Sequence, residues 1–178
     1  MSVMFVDIRG YTSLVEQMEP GAVATRLNRF YEIATRAIFR HDGTLDKLVG
    51  DEVMAFFGAP LNRRDHPQRA VSAALEILRD VAALPESDRL EIGIGISTGP
   101  AFVGNVGGQD FTDYTVLGDT VNVAARLQGA AAPSEILLGQ GTFDPVASKF
   151  PQATRRELEL KGKTEPVVAW EIARGIYD

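Results

Sequence analysis

The chain has 178 residues, 45% of them hydrophobic and 24% charged, with a formal net charge of −6 and no cysteine. That length supports one domain with a sizeable core. The acidic balance argues against nonspecific binding to nucleic acid or an anionic membrane surface. The lack of cysteine excludes disulfides, thiolate metal sites and cysteine nucleophiles. No apolar run reaches the length of a membrane span and no signal peptide is visible, so a cytoplasmic location is expected. The sequence opens almost at once in a strand, which suits a module cut from a longer and even membrane-tethered protein.

Val3 to Asp7 is an apolar run ending in an Asp, the pattern of a buried strand. Arg9 to Ser13 reads as a polar turn leading into helical sequence. Val23, Leu27, Phe30, Tyr31, Ala34 and Ile38 recur at helical spacing, so an amphipathic helix is predicted from Pro20 to Arg40, with Pro20 in its first turn and Gly43 at its exit. His41 should end that helix. Thr44 to Val49 and Val53 to Phe57 flank a Gly50-Asp51 pair and read as strands joined by a tight hairpin. Both are apolar on both faces, as strands near the middle of a covered sheet are. Lys47 falls on the face of Leu45 and Val49, where a charge needs a partner. On its own, Gly-Asp is equally well ordinary turn chemistry.

Pro60 to Pro67, including His66, is expected as a loop, and Ala70 to Val81 as a second helix. Leu90 to Ser97 is a strand containing Gly93 and Gly95, with Ala101 to Val106 as its hairpin partner. Gly107 to Asp113 reads as a polar, flexible arm and Tyr114 to Leu117 as a short strand. Gly118-Asp119-Thr120 offers a helix start, and the apolar face runs through Leu127. Ile136 to Leu138 is a short strand and Thr142 to Ser148 a brief helix. Arg155 to Leu160 and Val167 to Glu171 form a final strand pair around Lys161-Gly162-Lys163.

The opening order of strand, helix, strand, strand, helix, strand is the ferredoxin-like βαββαβ arrangement, an α+β fold with additional C-terminal strands and helices. In it the first strand lies between the third and fourth. The end of strand one then sits beside the turn that starts strand three, which brings Asp7 to Asp51. Two carboxylates at one place repel unless a cation joins them, and hard oxygen ligands favour Mg²⁺ or Mn²⁺. Gly10 lets the backbone of Ile8 to Thr12 approach a ligand, and a helix starting there attracts phosphate. Paired metals and a phosphate cradle point to nucleotide phosphoryl chemistry. The bland alternative is a capped helix plus a polar turn.

Phe5-Val6-Asp7-Ile8-Arg9-Gly10-Tyr11-Thr12, the stretch from Lys47 to Gly58, and the stretch from Tyr114 to Leu127 resemble, in order, signature blocks of class III nucleotidyl cyclase catalytic domains. Leu160-Lys161-Gly162-Lys163 is similar to a fourth block. The resemblance covers essentially the whole chain and implies one catalytic domain over residues 1–178. It implies that Asp7, Ile8 and Asp51 bind two divalent cations, and that Ile8, Gly10, Tyr11 and Thr12 contact phosphate. Lys47 and Thr115 would select the purine, Asn122 and Arg126 would position the ribose and stabilise the transition state, and Lys161 would contact the triphosphate. Many family members carry Asp where Thr115 stands.

A Lys ammonium only donates and suits adenine N1, while a Thr hydroxyl can accept from N6. Guanine's N1–H and N2–H₂ donors would face Lys47 unfavourably. The expectation is therefore an adenylate cyclase converting ATP to 3′,5′-cyclic AMP and pyrophosphate. In the family the site forms between two domains, which implies a head-to-tail homodimer with two shared sites, the 107–113 arm reaching across. The alternatives are a guanylate cyclase and a catalytically silent dimerisation or nucleotide-sensing module. A diguanylate cyclase would need a Gly-Gly-acidic-acidic-Phe hairpin where this chain has Gly50-Asp51-Glu52-Val53.

Overall fold

Alternation along strand β1 (Ser2–Ile8) divides the interior. Met4, Val6 and Ile8 enter one buried cluster and Val3 and Phe5 another, so β1 is covered on both faces. The computed structural model describes residues 1–108, 110, 112–159 and 165–172. β1 pairs antiparallel with β3 (Glu52–Phe57) on one side and β4 (Ile92–Thr98) on the other. The seven-stranded sheet runs β2-β3-β1-β4-β7-β9-β8, with β2 (Gly43–Val49), β7 (Glu135–Gly139), β8 (Thr154–Leu158) and β9 (Val167–Ile172). β4 and β7 pair in parallel. This is the expected ferredoxin-like core extended by C-terminal strands.

One face is covered by α2 (Pro20–Arg40) and α3 (His66–Ala82), whose Phe30, Ala34, Ile38, Ala70, Ala74 and Ile77 are all fully buried. Each large apolar side chain so buried contributes about 1.5–3 kcal/mol. Pro20 and Pro67 sit in the opening turns, where a missing N–H costs nothing. The other face is covered by α4 (Asp119–Ala130) and by β6 (Thr112–Leu117), which place Ala124 and Val116 over Val3, Phe5, Met54 and Phe56. A Cβ at Gly95 of β4 would fall inside the backbone of Ala124 and Gln128, so α4 lies directly on the strand. A short helix α1 (Tyr11–Gln17) follows β1, and α5 (Gln140–Phe143) leads into a 3₁₀ turn.

Several expectations are corrected. β5 (Phe102–Gly107) does not pair with the strand before it; it pairs with β6 in a separate two-stranded ribbon. Both edges of β4 are already taken, by β1 and β7, and leave it no place. Of the anticipated 107–113 arm, Gly107 lies in β5 and Thr112 and Asp113 in β6, while residues 109 and 111 lie outside the described residues. His66 opens α3 instead of lying in a loop, and α4 runs on to Ala130. β2 is an edge strand, with Leu48 41% and Val49 61% exposed, not a covered central one.

The alternation of β2 also breaks. Leu45 pairs with Ala55 and Lys47 with Met54, so Asp46 is an extra, bulged residue. Ala55 belongs to the cluster under α2 and α3, Met54 to the cluster under α4 and β6. Lys47 therefore shares a face with Val49 but not with Leu45.

Candidate active site

The Gly50-Asp51 turn joins β2 to β3, and Asp7 is in register with Glu52 just beyond it. The topology thus brings Asp7 and Asp51 to one cleft of about 340 Å³, lined by residues 7–12 and Asp51. Ile8, Gly10, Tyr11 and Thr12, expected from the sequence, all line it. Gly10 has φ 71°, a left-handed conformation that glycine adopts without a Cβ penalty, and it starts α1 at Tyr11.

Burial, and after it the Asp7 carboxylate alongside, push the Asp51 carboxyl up to about 7. Burial and Asp7 also raise Glu52. Asp7 Oδ2 accepts from Gln128 Nε2 at 3.1 Å, while its Oδ1 is buried and receives no donor. A buried acceptor lacking a donor, beside a second carboxylate it repels, is the donor set a hard cation satisfies. Mg²⁺ in particular is held by one or two carboxylates and fills its remaining positions with water and substrate phosphate. The residues present fit such an ion.

A second cluster forms across the bulge. Asp46, its side chain 0% exposed, accepts from Thr115 Oγ1 at 2.7 and 3.0 Å, from Val116 N at 3.3 Å and from Lys47 Nζ at 3.0 Å. Lys47 also donates to Asp113, and that bond is the main cause of its raised pKa. The structure thus joins Lys47 and Thr115, remote in sequence, through one carboxylate. Asn122 and Arg126 lie four apart on α4, outside the face formed by Thr120, Ala124, Leu127 and Gln128 that the helix buries. None of these four side chains lines the carboxylate cleft. Lys161 lies outside the described residues.

Four supporting residues escaped sequence reasoning. Gln128 holds Asp7, and the Arg9 guanidinium donates to the Gln128 carbonyl. Tyr31, read only as part of an apolar helix stripe, donates its hydroxyl to the Gly50 carbonyl and braces the Asp51 turn. Asp46 had one available signal: the Asp46-Lys47 pair interrupts a period-2 apolar pattern, as a bulge does.

Known proteins resemble the chain over most of its length. A family model described as the adenylate and guanylate cyclase catalytic domain matches residues 1–172. The uncharacterized protein Rv1319c of Mycobacterium tuberculosis is 41% identical over 144 residues, 80% of this chain and 26% of its own length. The chain therefore spans about a quarter of that relative. Among solved structures, the guanylyl cyclase Cya2 has a TM-score of 0.88 at 30% identity, covering 96% of this chain and 89% of its own. The adenylyl cyclase CyaB from P. aeruginosa has a TM-score of 0.88 at 33% identity, covering 98% and 93%. Because the match reaches from β1 to the last residue of β9, the chain belongs to the adenylate and guanylate cyclase catalytic-domain family, nucleotide cyclases of the lyase class.

Proposed function

We propose that this chain is an adenylate cyclase catalytic domain over residues 1–178, converting ATP to 3′,5′-cyclic AMP and pyrophosphate at sites shared between two copies. The observation that carries the choice of base is the convergence of Lys47 and Thr115 on Asp46. Of the three Lys47 N–H donors, Asp46 and Asp113 engage two, and the third is left for adenine N1. Two divalent cations, Mg²⁺ or Mn²⁺, held by Asp7, Ile8 and Asp51, would activate the ribose 3′-hydroxyl and neutralise the triphosphate. The 3′-oxygen attacks the α-phosphorus, the new P–O bond closes the ring, and pyrophosphate leaves. Residues 8–12 cradle the phosphates. Asn122 orients the ribose, Arg126 stabilises charge growing on the α-phosphate, a contribution of several kcal/mol for such groups, and Lys161 contacts the leaving phosphates.

The separation of the carboxylate cleft from Lys47, Thr115, Asn122 and Arg126 supports a site completed by a second copy in a head-to-tail homodimer. Exposed Leu48, Val49, Phe102, Val106, Tyr114 and Leu117 on the β2 edge and the β5-β6 ribbon supply an apolar surface for that copy. One observation favours GTP instead: the Asp113 carboxylate beside Lys47 offers an acceptor to guanine's N1–H and N2–H₂. Incubation with ATP or GTP and Mn²⁺ or Mg²⁺, followed by product identification, tests the reading. Cyclic AMP is expected; cyclic GMP as the main product, or no cyclic product at any protein concentration, overturns it.

A further inference from the structure

Asp46 contacts both residues that face the base in this reading, yet would touch no substrate itself. Its carboxylate is fully buried at the β2 bulge, and donors from Lys47, Thr115 and Val116 converge on it. An ionised carboxylate can only accept. The Thr115 hydroxyl lies within reach of both Asp46 oxygens, at 3.0 and 2.7 Å. A threonine hydroxyl has one proton and two lone pairs, and is otherwise free to rotate. With that proton committed to Asp46, Thr115 has only lone pairs to present elsewhere.

We infer that Asp46 is a specificity-positioning residue of the nucleotide pocket: it fixes the Thr115 hydroxyl as an acceptor, so that the pocket takes the 6-amino group of adenine and rejects the 6-oxo group of guanine. A lone threonine opposite the base discriminates poorly, because it donates or accepts as required. Asp46 removes that freedom, and the bulge is what brings its carboxylate to β6. Asp46 also ties β6 to β2 through the Val116 N–H. A purely mechanical tie is indifferent to the base, which separates the two roles. The inference rests on the proposed reading that Lys47 and Thr115 face the purine.

The test compares kcat/KM for ATP and GTP in wild type, Asp46→Asn, Thr115→Val and the double variant. Asn offers one oxygen to three donors and turns an amide N–H₂ toward Thr115, releasing the hydroxyl proton outward. The ATP/GTP ratio of kcat/KM should fall about tenfold, mainly through KM, as one bond to adenine is lost and one to guanine gained. On the Thr115→Val background, Asp46→Asn should change the ratio less than about twofold, since the coupled group is gone. An equal loss for both nucleotides, or the same shift without the threonine hydroxyl, overturns the role of Asp46.

Preference of the wild type for GTP overturns the adenylate cyclase reading alone, provided that Asp46→Asn still lowers the ratio. Without turnover, the same ratio is read from equilibrium binding of non-hydrolysable ATP and GTP analogues, and binding of neither overturns both. Should Asp46→Asn not fold, wild type and Thr115→Val are compared: purine riboside triphosphate, which keeps the N1 acceptor and lacks the 6-amino group, should bind about tenfold more weakly than ATP to the wild type and about equally to Thr115→Val, and equal binding by the wild type overturns the inference.

Discussion

Replacing Asp51 with Asn separates the cost of the carboxylate pair from its use. Burial and Asp7 raise the Asp51 carboxyl from an ordinary 3.8 to about 7. A folded pKa above the unfolded one means that the native state holds a proton the unfolded chain has released. Stability therefore falls as pH rises from about 4 to 7, and the full cost is present above 7. At 1.36 kcal/mol for each pKa unit the ceiling is about 4 kcal/mol. The Asp51 turn is partly exposed, and screening reduces this to about 1–2 kcal/mol. Asn keeps the shape and removes the charge. In chelator at pH 8, Asp51→Asn should melt about 2–8 °C above the wild type, at about 2–4 °C for each kcal/mol in a chain of this size. The gap should narrow as pH falls and vanish near pH 4. Mg²⁺ or Mn²⁺ at ten times its Kd should then stabilise the wild type by about 1.4 kcal/mol and leave the variant unmoved. Thermal unfolding across pH, with and without metal, reads all of these. A variant less stable than the wild type at pH 8 in chelator, or a gap independent of pH, would refute the reasoning.

Mixing inactive Asp51→Ala with inactive Arg126→Ala should restore about a quarter of wild-type activity, because half of randomly paired dimers are mixed and each mixed dimer has one intact site; co-expressed mixed dimers as inactive as either parent would end the shared-site model. Tyr31→Phe removes the donor to the Gly50 carbonyl; it should cost about 1 kcal/mol in urea unfolding and lower cyclase activity by more than that stability loss explains, by loosening the Asp51 turn. Leu127→Ala empties a fully buried position where α4 packs, and should cost about 2–5 kcal/mol, read from the urea midpoint. Glu76→Gln weakens a buried carboxylate that accepts from Arg40 at 2.6 Å and His41 at 2.9 Å, and should cost about 1–3 kcal/mol by the same measurement.

The meeting of Asp7 and Asp51 was legible because two local patterns and one topology determine it. A buried strand ending in Asp and a Gly-Asp hairpin can be read residue by residue, and the βαββαβ order then sets their neighbourhood. The ribbon of β5 and β6 was not legible. Its pairing depends on which strand edges are free, and β4 loses both edges to partners that lie far along the chain. The bulge at Asp46 hid for another reason. Period-2 reading assumes an unbroken ladder, so one extra residue carried Lys47 to the wrong face on paper. Gln128 and Arg9 gave no signal at all, since their partners come from opposite ends of the sequence and meet only because Gly95 admits α4 so closely.

The two margins of the large sheet are unlike. β8 closes one of them with Thr154, Arg155, Arg156 and Glu157, and Arg155 pairs with Glu157 at 2.8 Å in solvent. Charge along an outer strand discourages another strand from adding there. β2 closes the other margin by other means: the bulge at Asp46 breaks its ladder, Lys47 stands partly exposed, and the open apolar residues are Leu48 and Val49 at its end. A bulge beside a lysine interrupts strand addition as an outer row of charge does, so each margin carries its own device against it. Neither margin therefore offers the flat, uncharged ladder from which a fibre grows.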